Sequence, residues 1–121
     1  MVLCFLKNEV PADILGLTGG AKGFPVDMSE FKALCSIPII MYFGDYIPTK
    51  PSKNLGDENW RVRLAMAKEF AKCINKHGGN CTIVELPKIG IYGNTHFLME
   101  EKNNAQLADL LDKWLEENKL K

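Results

Sequence analysis

The sequence has no excess charge of either sign: Lys plus Arg and Asp plus Glu number 15 each. Without a basic field nothing draws a polyanion or an anionic bilayer surface, so nucleic acid and membrane partners are set aside. Nor is there a long apolar run; none approaches the roughly 20 residues that a bilayer-spanning helix needs. The opening Met1-Val2-Leu3-Cys4-Phe5-Leu6 is apolar, but Lys7, Asn8 and Glu9 interrupt it and no basic stretch precedes it. It does not read as a signal peptide, and the cytoplasm is the expected compartment. The four cysteines, Cys4, Cys35, Cys73 and Cys81, form no C-x-x-C pair, so reduced and mostly buried thiols are expected. Cys73, His77 and Cys81 are spaced by four, but Gly78 and Gly79 break any helix between the last two and no fourth ligand is near. No metal is expected there. Thr18-Gly19-Gly20-Ala21-Lys22-Gly23 lacks the G-x-x-x-x-G-K-[ST] spacing of a phosphate loop. No cofactor is expected.

What is present fits one α/β domain of 121 residues, with 46% apolar and 25% charged residues. Residues 1–36 form an irregular N-terminal segment, punctuated by Pro11, Gly16, Gly19, Gly20, Gly23 and Pro25 without a sustained period. At its end, Asp27 or Ser29 is placed to cap a short helix through about Leu34, with Phe31 and Leu34 inward. Residues 37–43, Ile-Pro-Ile-Ile-Met-Tyr-Phe, are continuously apolar, the pattern of a parallel strand buried on both faces. Gly44-Asp45 ends that strand. Asp45 then lies at a carboxyl end, where open α/β sheets place their ligands.

After a loop rich in proline, Asp57 is the expected N-cap of a helix running to about His77, with Glu58 at its positive end. Trp60, Leu64, Ala67, Ala71 and Ile74, with Phe70 beside them, give an apolar stripe for packing on a sheet. Gly78-Gly79 stops the helix. Residues 81–86 read as a second strand, completing a βαβ unit whose crossover should be right-handed. The stretch 86–99 follows, Leu-Pro-Lys-Ile-Gly-Ile-Tyr-Gly-Asn-Thr-His-Phe-Leu-Met. Its glycines and Asn94 tolerate unusual backbone angles, and it presents His96, whose proton equilibrium sits nearest neutrality. Asn103 or Asn104 then caps a last helix, Asn103-x-x-Gln106 fitting a modified capping box. Leu107, Leu111 and Trp114, with Leu110 and Leu115, form its apolar stripe.

The order strand, Gly-Asp, loop, helix, strand, glycine-bearing loop, His, helix resembles the C-terminal half of an α/β-hydrolase. Ile37-Pro38-Ile39-Ile40-Met41-Tyr42-Phe43-Gly44-Asp45 looks like its penultimate core strand. Gly90-Ile91-Tyr92-Gly93-Asn94-Thr95-His96-Phe97 looks like the loop of the catalytic histidine in an esterase-like branch, and the helix from Asn103 looks like its last. The likeness covers residues 24–118, and the hydrolase-like segment is drawn as 37–121. It implies that His96 is the base that takes a proton from a serine nucleophile and returns it to the leaving group. It also implies that Asp45 is a candidate for the acid that orients this histidine, with Glu9 a weaker one, and that Asn94, Thr95 and Phe97 line the substrate site. The usual Gly-Asp-x-Asp is here Gly44-Asp45-Tyr46-Ile47. The nucleophile is the larger departure: of Ser29, Ser36 and Ser52, none stands in G-x-S-x-G, and no Cys or Asp occupies such an elbow.

Two functions of different class follow. One is a partial or truncated carboxylesterase-like hydrolase, inactive alone, whose substrate would be a small ester and whose partner is a complementary hydrolase half or a second copy. The other is a non-catalytic α/β binding or interaction module that self-associates through its sheet edge, since two strands alone make an insufficient sheet. A thiol hydrolase using Cys35 or Cys81 with His96 is a third option, opposed by the placement of both cysteines at the wrong ends of their strands.

Overall fold

A computed structural model describes residues 27–121. The candidate glycine loop at 18–23, Glu9 and Cys4 lie outside the described residues. In order come α1 (Met28–Cys35), β1 (Ile39–Phe43), α2 (Leu55–Lys76), β2 (Cys81–Glu85) and α3 (Asn104–Glu117), with single 3-10 turns at Leu86–Ile89 and Leu98–Glu100. The fold is mixed α/β, and the βαβ unit is present: β1 and β2 pair in parallel, Ile39 opposite Cys81 through Phe43 opposite Glu85.

α1 begins where the Asp27 side chain accepts the Ser29 amide at 3.0 Å. It turns Phe31 into the core at 1% exposure, so the expected irregular segment holds a helix in its described part. Phe31 meets Ala71, Cys73, Ile74 and Cys81, with Ile39, Met41 and Ile83 packed against them. Alternation along each strand thus aims the odd-numbered residues at α1 and α2. Full burial of a Phe or Ile side chain stabilises by about 1.5–3 kcal/mol, so this cluster holds the two layers together.

β1 was expected to be buried on both faces, and that expectation is corrected. Only Phe43 is buried; Ile39 through Tyr42 are half-buried. The reason is the sheet, which has two strands among the described residues. Ile39 N–H donates to Asn80 O, so the parallel ladder turns Ile40 and Tyr42 N–H and C=O toward the opposite edge. That edge is unpaired among the described residues. The outer edge of β2 is partly closed instead: Asn75 Nδ2 donates to Cys81 O and Cys81 N–H donates to Asn75 Oδ1, both at 2.8 Å.

The start of α2 is a second correction. Asn54, not Asp57, is the N-cap: its Oδ1 accepts the Asp57 amide at 3.0 Å, and the helix opens at Leu55. Asp57 thereby sits in the first turn beside Glu58, still at the positive end of the helix dipole. Asn54→Ala should cost about 1 kcal/mol of stability, read as a shift in the urea midpoint at unchanged slope. Glu58 is held further by its bidentate pair with Arg61 (2.9 and 2.5 Å) and by the Ser52 amide at 2.9 Å. The Arg61 hydrogen bonds, then the Ser52 amide, lower its pKa from an ordinary 4.5 to about 2. The sign follows from linkage. A depressed carboxylate contributes stability above 4.5, and that contribution is lost as pH falls through about 2. The Glu58 side-chain carbon shift, followed by NMR, should therefore titrate near the lower value, and in E58Q the acid-side loss of stability should shrink.

α2 buries Val62, Met66, Ala67, Ala71, Cys73 and Ile74. Trp60 and Leu64 of the expected stripe are only half-buried, Leu64 lining an open hollow. It stops at His77, with Gly78 at φ +84°, the left-handed residue expected there. α3 has no buried residue, and Leu111 is 41% exposed. It is tied to the sheet through Asn80 Nδ2 and Asn118 Oδ1 at 2.9 Å. Burial, then the Glu117 charge, raises the Tyr42 pKa. Asn103 stands at its N-cap position without a capping side-chain bond. The expected capping box reduces to a contact of 3.4 Å between Asn103 Nδ2 and Gln106 Oε1, because the Asn103 amide is engaged elsewhere. No helix is long and apolar enough to cross a membrane among the described residues.

Candidate functional site

The histidine loop is fixed to the end of β1 by the backbone of both. Pro87 starts the 3-10 turn after β2, and Gly90 closes it at φ +81°. Gly93, at φ +85°, reverses the chain again. The reversal aims the Gly93 amide at Asp45 Oδ2 (2.6 Å), while Asp45 N–H donates to Asn94 O at 2.7 Å. Asp45 thus latches the loop from the opposite strand. Gly44 permits the approach: a Cβ there would stand 2.5 Å from Thr95 O and still nearer Asn94 O.

Beyond the latch, two side-chain pairs hold the loop to the start of α3. Asn94 is 1% exposed. Its Nδ2 donates to Asn103 Oδ1 at 2.6 Å, and Asn103 Nδ2 donates to Asn94 Oδ1 at 3.1 Å. This reciprocal amide pair is what removes Asn103 from capping duty. Glu101 Oε1 accepts both the Thr95 amide (2.7 Å) and its hydroxyl (2.5 Å), and those bonds lower the Glu101 pKa.

His96 follows directly. Its ring stacks on the Trp60 indole, centroids 3.4 Å apart and planes 19° from parallel. Arg63 Cζ lies over the same indole, 5.0 Å from its centroid. Burial, then the Arg63 charge, pulls the His96 pKa below its ordinary 6.5, so the imidazole is neutral at pH 7. A neutral imidazole has one nitrogen able to accept a proton, which is the requirement of a general base. The ring opens on a cavity of about 230 Å³ lined by Met41, Tyr42, Phe43, Gly44, Trp60 and Leu98, an apolar recess with few polar groups. A larger hollow of about 440 Å³ lies on the far side of Asp45, between Pro48, Arg61, Lys68 and Lys88. Within it Glu85 pairs with Lys68 (2.9 Å) and Lys88 (2.6 Å). Burial raises the Glu85 pKa, but the two ammonium groups outweigh it and the net shift is downward.

The structure brings His96 and Asp45 to the same end of the sheet but does not join them. Asp45 gives one carboxylate oxygen to Gly93; the other is buried without a hydrogen-bond partner. Neither ring nitrogen of His96 has a hydrogen-bond partner among the described residues. Of the three residues expected to line a substrate site, Asn94 is buried and engaged with Asn103, and Thr95 is engaged with Glu101. Phe97, at 63% exposure, stands free at the surface. Cys81 is buried, and burial raises its thiol pKa; it opens β2 at the end away from His96, a poor environment for a nucleophile. Cys35 Sγ faces Ile74 O at 3.9 Å, within the core. His77 packs edge-on against Phe31 at 5.1 Å. No group of three His, Cys, Asp or Glu placed to hold a metal ion occurs among the described residues.

Sequence reasoning missed four contributors, Trp60, Arg63, Asn103 and Glu101: it placed Trp60 in the packing stripe and Asn103 at a cap. The one available signal was position. Trp60 lies in the first turns of a helix that starts near the carboxyl end of β1, the level at which His96 is delivered.

A solved bacterial esterase resembles this chain with a TM-score of 0.64 at 33% sequence identity, over 83% of this chain. The chain spans 28% of the length of that esterase. No family model and no curated protein matches the sequence. The fold is therefore esterase-like, at the scale of a part.

Proposed function

We propose that this chain is the histidine-bearing part of a carboxylesterase-type α/β-hydrolase, with His96 as general base and acid, and that it hydrolyses no ester alone. The observation that carries the reading is the presentation of His96. A loop latched to the end of a parallel strand delivers a neutral imidazole, both ring nitrogens unengaged, to the mouth of an apolar recess. A general base needs a neutral ring, one free accepting nitrogen and space beside it for the reacting group. The esterase neighbour supports the class, and the absence of G-x-S-x-G from the sequence supports dependence on another segment for nucleophile and oxyanion donors. The edge of β1 that is unpaired among the described residues, apolar along its length, is the natural seat for a strand of that segment.

The test is reconstitution. The bacterial esterase is expressed without the quarter that this chain resembles, then mixed with this chain and a nitrophenyl ester of a short acid. The expected result is no turnover by either part and turnover by the mixture. Hydrolysis by this chain alone that survives His96→Ala would sink the role given to His96. Failure of the parts to associate would sink the reading of the β1 edge.

A second reading is favoured by the same edge and by the stripe of α3, which no described residue buries fully. In it the chain is a non-catalytic module that pairs with a copy of itself through β1. Sedimentation at micromolar concentration separates the two. A monodisperse monomer removes self-association, and a dimer that blocks reconstitution favours it.

A further inference from the structure

Among all the contacts of His96, one is unlike the loop's other supports. Asn94 and Thr95 are held by hydrogen bonds, but the His96 ring is held by a face. We propose that Trp60 is the positioning residue of His96, fixing the plane of the imidazole through face-to-face stacking while leaving both ring nitrogens open. This rests on the reading of His96 as a general base.

The geometry argues for it in three steps. Imidazole hydrogen bonds lie in the ring plane, so a partner that fixed the ring by hydrogen bonding would occupy a nitrogen. A stacked indole restrains the ring from its face and occupies none, which suits a group that must exchange a proton at one nitrogen and donate a hydrogen bond from the other to partners in another segment. Second, the restraint is rigidly mounted. Trp60 projects from α2 two residues before Val62 and six before Met66, each 1% exposed. A displacement of the Trp60 backbone would have to carry the helix with it. Third, the stack carries charge information. Arg63, three residues on from Trp60, lies over the indole, and its guanidinium disfavours a second positive charge beside it. The other groups around His96 do not oppose this. Tyr42, from β1, lines the same recess as a neutral phenol. On the loop side, Glu101 is engaged by Thr95, and Glu100, the nearest carboxylate by sequence, ends the turn Leu98–Glu100. Stacking thus fixes orientation, and Arg63 keeps the ring in the proton-accepting form.

The test is NMR of the His96 ring protons in the full chain, assigned against His77 with H77Q. In the wild type they should be displaced upfield by the indole ring current, and the ring should titrate below 6.5. Trp60→Leu should return the protons toward unstructured positions. Trp60→Phe should retain a smaller displacement. Arg63→Gln should raise the pKa of His96 while leaving the displacement in place, a split that general loosening of the fold does not produce. Wild-type ring protons at unstructured positions overturn the proposal. So do shifts unchanged in Trp60→Leu or, if that variant does not fold, in Trp60→Phe. No substrate or nucleophile is present in these measurements, so their failure removes the role of Trp60 and leaves the esterase reading standing. In the reconstituted mixture, Trp60→Leu should lower kcat about tenfold with little change in KM; an unchanged kcat also overturns it.

Discussion

His96→Ala is expected to lower ester hydrolysis by the reconstituted enzyme by at least about 10³-fold in kcat, with KM changed little. General acid–base catalysis by one positioned group contributes about 10²–10⁴-fold, and groups that act as a unit with a nucleophile lose more when one is removed. The loss should fall on kcat because the imidazole moves a proton in the transition state and holds no part of the bound ester beforehand. The pH profile checks the assignment independently. The base must be neutral, so kcat/KM should rise with pH through the His96 titration and level off above it. Burial and Arg63 depress that pKa below 6.5, so the plateau should be reached at a lower pH than an unperturbed imidazole would allow. Arg63→Gln should move the rising limb toward higher pH without lowering the plateau. A limb that stays in place in that variant belongs to another group. The ring also fills space against Trp60, so the urea midpoint of His96→Ala is needed beside the kinetics. A modest loss of stability with a complete loss of turnover separates catalysis from packing.

The ordering of elements was legible because it rests on strong local signals. Continuous β-branched and aromatic residues mark β1, a 3.6-residue stripe closed by Gly78 marks α2, and Asp27 with Phe31 marks α1. The two capping corrections share a physical cause: competition between polar groups for one partner. Asn54 and Asp57 are both good caps, and Asn54 prevails because its oxygen reaches the Asp57 amide three residues on, which lengthens the helix by a few residues at little cost. Asn103 is a good cap too, but a buried amide at Asn94 must be satisfied, and leaving it unpaired costs more than an uncapped, solvated helix end. Only tertiary contact reveals such a choice. The exposure of β1 was illegible for a different reason. Its apolar sequence describes a strand with neighbours on both edges, and the described residues supply one.

The same logic applies to the site. His96, its loop and the strand end that receives it are readable from Gly90, Gly93, Asn94 and the preceding β2. Its surroundings are not. Asp45 looked like a catalytic acid because a carboxylate after a strand often is one; in the fold, its nearer task is to accept the Gly93 amide across a distance of 48 residues in sequence. Trp60 looked like core because aromatic residues on an apolar stripe usually are. A sequence shows which residues are able to bond, and the fold decides which of them are close enough.

Gly44 is where that closeness is greatest, and Gly44→Ala should be the most damaging single-methyl change in the described chain. A Cβ at position 44 would stand 2.5 Å from Thr95 O and closer still to Asn94 O. Both obstacles are backbone atoms, so no side-chain rotation relieves the overlap. Either the end of β1 or the histidine loop must move. Overpacking of this kind costs about 1–3 kcal/mol, and loss of the Asp45 N–H to Asn94 O bond adds about 1 kcal/mol. A total of about 3 kcal/mol is expected, read from urea unfolding. Gly90→Ala is the informative comparison. Gly90 has φ +81° but open space around it, so alanine there meets only backbone strain, about 1–2 kcal/mol. The ranking is the reverse of what backbone angle alone dictates, since Gly44 is not in the left-handed region. Function should follow the loop. Because Asp45, Asn94 and Thr95 share the same junction, displacement there swings His96 off Trp60, and turnover by the reconstituted enzyme should fall even where the variant remains folded. If Gly44→Ala keeps the wild-type urea midpoint and fast-exchange protection at Asp45 and Gly93, the loop does not approach β1 as closely as the structure has it, and the latch on His96 is lost with it.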